Sequence, residues 1–230
     1  MNETNENTRE TQQVSGEQID FIFSLSDETI DDLKKRIDES NGLVRVFIHP
    51  YYSKNNGETT RETKSSKGLD SIISSSSEKT PPIIVFEESS MVKKTTKHLV
   101  EVSGQSRAKT ILVETNDKTS NPKTETMGTE EERWGAVINI LIQLGVKKVL
   151  IGGEKLEIIG GELLNFLSKD FDRFRVRRAL EGAKNTNYSF FGCVGQAIKY
   201  FEQFGITVEI SNLSHPESRA DLLKHESSTN

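Results

Sequence analysis

Residues 129–153, TEEERWGAVINILIQLGVKKVLIGG, place a helix signal and a strand signal back to back. Thr129 with Glu132 matches a capping box, and Glu130, Glu131 and Glu132 suit the positive end of a helix. Trp134, Val137, Ile138, Leu141 and Ile142 recur at helical spacing and define its buried face. Gly145 ends it. Val146 to Ile151 then forms a mostly apolar run that leads into Gly152-Gly153, the pattern of a strand buried on both faces. A helix that feeds such a strand after one glycine is half of a β-α-β unit.

The same alternation extends in both directions. Ile19 to Leu25 reads as a short strand. Ser26 or Asp27 caps a helix to about Glu39, with Ile30, Leu33 and Ile37 on one face. Leu43 to Ile48 is a strand that ends at His49-Pro50-Tyr51-Tyr52, and residues 53–67 form a polar loop. Gly68 to Lys79 predicts a short helix, Ile83 to Phe86 a strand, 90–103 a helix and Lys109 to Val113 a strand. Beyond the second polar loop and the quoted stretch, Glu157 to Leu167 predicts a helix. Val194 to Phe204 is a helix with Ala197, Ile198 and Phe201 inward, stopped by Gly205, and Ile206 to Ile210 is the last strand. Strands alternating with helices imply parallel pairing through right-handed crossovers. The expected fold is therefore α/β, a Rossmann-like three-layer sandwich of five or six mainly parallel strands with helices on both faces. Residues 1–17, almost without apolar side chains, read as a disordered tail, 18–213 as one α/β domain and 214–230 as a flexible tail.

Composition narrows the function. The chain of 230 residues has a net charge of −5 and a pI of about 5.6, which gives no general drive toward nucleic acid or anionic lipid. No apolar run is long enough to span a bilayer, and the first residues lack the basic-then-apolar order of a secretory signal. One cysteine excludes an internal disulfide. The expectation is a cytoplasmic protein with no nucleic-acid or membrane partner and no cofactor. It takes a small-molecule ligand and is compatible with homo-oligomers. Neither a GxGxxG nor a GxxxxGK[ST] motif is present, so nucleotide phosphates have no motif to bind.

In open parallel sheets ligands bind beyond the carboxyl ends of the strands. The residues standing there are the candidates. His49 is the candidate general base, its conformation restricted by Pro50. Cys193, between Gly192 and Gly195 at a helix start, is the candidate nucleophile, because helix N-termini favour a thiolate. Glu154 would orient His49. Gly152, Gly153, Gly192 and Gly195 offer backbone N–H groups, and Glu114, Asn116 and Tyr51 are further candidate ligand contacts. Each has a plainer explanation in packing or turn geometry. No fixed-spacing motif points to a metal, although His49, Glu87, Glu88, Glu114 and Glu154 are an oxygen-rich set that could converge on one ion. The run KDFDRFRVRR, residues 169–178, reads as a solvated face with phenylalanines packed inward, or alternatively as a docking site for phosphate or an acidic partner.

Gly192-Cys193-Val194-Gly195 followed by QAIKYFEQFGITVEIS, together with LGVKKVLIGG, resembles the C-terminal part of isochorismatase-like cysteine hydrolases. In that family a Cys-Val pair opens a helix that ends in glycine and leads to a final strand. The resemblance covers about a quarter of the chain. It implies that Cys193 attacks and that nearby backbone N–H groups form an oxyanion hole. The family's aspartate at the end of its first strand is replaced here by Leu25-Ser26 or His49, and its lysine has no counterpart. The functions that follow are a cysteine-dependent hydrolase of a small amide or ester, or alternatively a non-catalytic module for a small polar or phosphorylated ligand, or a protein-interaction domain.

Overall fold

The computed structural model describes residues 19–51, 64–103, 109–117, 119–124, 128–153, 156–159, 189–211 and 216–218. In chain order the elements are β1 (Asp20–Phe21), α1 (Asp27–Glu39), β2 (Leu43–Ile48), α2 (Lys64–Ser74), β3 (Ile83–Glu88), α3 (Ser89–Ser103) and β4 (Thr110–Thr115). There follow α4 (Glu130–Gln143), β5 (Lys148–Gly153), β6 (Leu156–Ile159), β7 (Ser189–Phe191), α5 (Gly192–Gln203), β8 (Thr207–Ile210) and β9 (Pro216–Ser218). Six strands make one wholly parallel sheet in the order β1-β4-β3-β2-β5-β8. A second sheet, β7-β6-β9, has β6 antiparallel to β7 and parallel to β9. The Rossmann-like α/β class expected from the sequence is the class observed.

Strand alternation sorts the core into two layers. Val46, Ile48, Ile84, Phe86, Val113, Val149 and Ile151 pack with Leu33 and Ile37 of α1, Val137 and Leu141 of α4, and Ala197 and Phe201 of α5. Phe47, Ile83, Val85 and Leu112 pack on the opposite side with Leu69 and Ile73 of α2 and Leu99 of α3. Each fully buried aliphatic side chain contributes about 1.5–3 kcal/mol. That is why the strands need to be apolar along their whole length. Local signals fix the helix starts. The Ser26 hydroxyl accepts from Thr29 N at 3.2 Å, and the Thr129–Glu132 capping box closes in both directions.

Several sequence expectations shift. The first strand is two residues long, because the chain turns after it and Ser24 N donates to Phe21 O. Helix α2 begins at Lys64, inside the stretch read as polar loop, and stops at Ser74. Ile142 is 43% exposed, off the stripe that buries Trp134, Val137, Ile138 and Leu141. Residues 157–159, read as the start of a helix, belong to strand β6; its four residues, Leu-Glu-Ile-Ile, fit either period, and pairing with β7 and β9 decides. Pro216–Ser218 is a strand within the segment read as a tail. Glu154, Tyr52 and the basic run 169–178 lie outside the described residues.

Candidate functional site

From β2 the chain steps outward through β3 to β4, then crosses back to β5 and outward again to β8. The order reverses between β2 and β5, and the crevice beyond the carboxyl ends of those strands is where open α/β sheets hold ligands. The first turns of α4 and α5 border the same edge on one face of the sheet.

Informative features on a protein surface are buried polar groups, and they gather on this edge. His49, directly after β2, adopts a left-handed backbone with φ +48°. Its N–H donates to Phe86 O at 2.9 Å, and its ring Nε2 lies 3.0 Å from Thr115 Oγ1, at the end of β4. The imidazole is 3% exposed, and burial pulls its pKa down to about 4. It is therefore neutral at pH 7, a hydrogen-bonding wall rather than a poised base. Glu88 and Thr115 follow the alternation of Phe86 and Val113, so they point to the same face, and both are buried.

Cys193 is the second residue of α5, half-buried against the core of this face. Its helix is seated tightly. A Cβ at Gly153 would stand 2.4 Å from Ile48 O and 2.6 Å from Val194 Cγ2, so glycine at 153 is explained by packing of α5 on the β2–β5 pair. A Cβ at Gly152 would crowd the Phe47 ring at 3.3 Å. Gly192 starts the helix with φ +77°, and Gly195 is buried within it.

Residues 193, 196 and 200 lie on one stripe of α5. Gln196 accepts from the buried Ser120 hydroxyl and donates to Asn121 Oδ1 at 3.0 Å and to Glu130 Oε1. The Tyr200 hydroxyl donates to Glu130 Oε1 at 2.8 Å, and Asn121 Nδ2 donates to Glu130 Oε2 at 3.3 Å. Burial works to raise the Glu130 carboxyl. Hydrogen bonds from Tyr200, Gln196 and Asn121, with the Lys199 charge, outweigh it and hold the group below its usual value. Tyr200 is pushed up to about 12 by desolvation and by that carboxylate. This clamp fixes the segment after β4 and the first turn of α4 against α5. Below it the Trp134 ring is stacked between Phe86 at 5.2 Å and Tyr200 at 5.4 Å.

Other candidates fall elsewhere. Tyr51 is buried on the α2–α3 face, where its hydroxyl donates to Asp70 Oδ1 at 2.7 Å and its ring meets His98 edge-on. Asp70 also holds His98 Nε2 at 3.1 Å, so Tyr51 serves an interhelix clamp. Glu87 turns to that face too. Its carboxyl takes hydrogen bonds from Thr95 Oγ1 and Glu88 N, yet burial raises its pKa to about 7. In Glu114, the effect of burial is outweighed by hydrogen bonds from Lys123 and Ser89 and by the Lys123 charge, and its pKa lies below the usual value. Asn116 builds a turn, its backbone bonded to Asn121 and Thr119. Among the described residues no three His, Cys, Asp or Glu side chains are placed to hold a metal, and no helix is long and apolar enough to cross a membrane. A depression of about 230 Å³ lined by Lys34, Asp38, Asn41, Gly42, Gly145 and Lys147 lies at the opposite, amino-terminal edge.

His49 and Cys193 are legible at the carboxyl edge from the sequence; Glu130 and Trp134 are legible there only as helix-start and core residues, and Ser120, Gln196 and Tyr200 carry no signal of their own. The helical spacing of 193, 196 and 200 was available; the reach of Glu130 and Ser120 to Gln196 was not. No family model, curated protein or solved structure matches the chain.

Proposed function

We propose that this chain binds a small polar ligand at the carboxyl edge of its sheet, between the first turns of α4 and α5, with Cys193 at the mouth of the site. The observation that carries this reading is the gathering of buried polar groups, His49, Glu88, Thr115 and Ser120, at the edge where the strand order reverses. Neutral His49 and the fully engaged Gln196 give that edge a fixed lining, which favours recognition over proton transfer. The test is amide chemical-shift mapping on the full chain with acetamide as the probe. Shifts are expected around 49, 115, 120 and 192–196. Shifts confined to 34, 38 and 145 would move the site to the amino-terminal depression and refute the reading.

A second reading is favoured by the place of Cys193 in the first turn of α5, where partial positive charge supports a thiolate. The thiolate would attack the carbonyl carbon of a small amide or ester, the amine or alcohol would leave with a proton, and water would cleave the thioester to acid and thiol. The resemblance to isochorismatase-like hydrolases supports this reading too. The burial of His49 leaves it without the base first expected. Release of nitrophenolate from p-nitrophenyl acetate that is abolished in Cys193→Ala, while probe-induced shifts persist, would select it; equal release by both chains would reject it.

A further inference from the structure

We infer that the indole N–H of Trp134 is the buried donor that recognises the ligand at this edge, and that the ligand is a small neutral carbonyl compound, an amide or ester. The inference rests on the ligand-binding reading above. Trp134 is fully buried, and its Nε1 has no hydrogen-bond partner. An unpaired buried donor costs about 1–3 kcal/mol, so such a group has a use or an acceptor to meet. Both ring faces are covered, by Phe86 and by Tyr200, and Phe201 meets the ring edge-on at 6.0 Å. Long side chains on a helix lean toward its N-terminus, and the N-terminus of α4 lies at the carboxyl edge. Trp134 also stands on Phe86, whose carbonyl anchors His49. The indole thus lies directly beneath the Glu130–Tyr200 contact that borders the candidate site.

Charge chooses the ligand class. Glu130, one turn before Trp134, is held ionised by its hydrogen bonds. An anion would meet like charge there. A neutral carbonyl oxygen accepts from the indole without that repulsion, and its carbon is the atom a thiolate at 193 would attack.

The chain has one tryptophan, so a ¹⁵N-labelled sample shows a single indole N–H resonance. Titration with acetamide is expected to shift that resonance saturably and to slow alkylation of Cys193 by iodoacetamide, while acetate leaves it in place. Trp134→Phe is expected to weaken acetamide binding about 10-fold, the loss of one hydrogen bond; the wild-type titration keeps the test valid if that variant folds poorly. Protection of Cys193 with an unmoved indole resonance would overturn the role of Trp134 and leave the edge site standing. An unmoved resonance without protection would overturn both. A saturable shift with acetate would overturn the neutral class.

Discussion

Two buried groups beside the sheet edge should give this protein opposing pH dependences, which substitution can separate. The pKa of His49 falls from 6.5 to about 4 because burial penalises its charge. Between those values the unfolded chain binds the proton more readily, so stability attributable to His49 rises with pH. At about 1.4 kcal/mol per pH unit the gap is worth about 3 kcal/mol. Glu87 behaves in the opposite sense: burial raises it from 4.5 to about 7, so its contribution is present below 4.5 and is lost as pH rises to 7, again by about 3 kcal/mol. In the wild type the two slopes nearly cancel between 4.5 and 6.5. Urea unfolding at fixed pH from 4 to 7.5 should be run on wild type, His49→Gln and Glu87→Gln. The stability of wild type minus that of His49→Gln should grow by about 3 kcal/mol from pH 4 to 6.5, and wild type minus Glu87→Gln should shrink by about 3 kcal/mol from 4.5 to 7. Glu114 and Glu130 act alike in all three chains and drop out of the differences. Parallel curves, with differences flat to about 0.5 kcal/mol, would refute the burial argument.

Three further outcomes follow from packing. Gly153→Ala forces a Cβ onto Ile48 O and Val194 and should cost about 3 kcal/mol, a fall of about 6–12 °C in thermal midpoint, whereas Gly205→Ala meets no neighbouring atom and should cost about 1–2 kcal/mol for its left-handed backbone. Thr129→Ala removes the α4 capping box and should lose about 1 kcal/mol in chemical denaturation. Tyr51→Phe deletes the hydroxyl bond to Asp70 and should cost about 1 kcal/mol, yet leave acetamide-induced shifts at the carboxyl edge unchanged, because it acts on the other face.

The fold was legible because its signals are local and redundant. The capping box at Thr129, the apolar stripe from Trp134 to Leu141 and the unalternating strands each point to helices covering a parallel sheet. β6 was misread because four residues carry no decisive period, and only its partners β7 and β9 make it a strand. The site was legible in part. Strand-end logic places His49 and Cys193 at the edge, but it says nothing about protonation: the burial that disables His49 as a base goes with its contacts to Phe86 of β3 and Thr115 of β4. Nor does it separate the faces, so Tyr51 and Glu114 were grouped with the site although their partners Asp70 and Lys123 hold them elsewhere. The Glu130–Gln196–Tyr200 clamp joins residues about seventy positions apart. No spacing rule reaches that far.

The most direct measurement on the carboxyl-edge site is the rate at which iodoacetamide alkylates Cys193 in the native chain, with and without acetamide. A cysteine at the mouth of a ligand site should react in the folded protein and be slowed by acetamide. Reaction that begins only when urea unfolds the chain would make Cys193 a packing residue and contradict the proposed site.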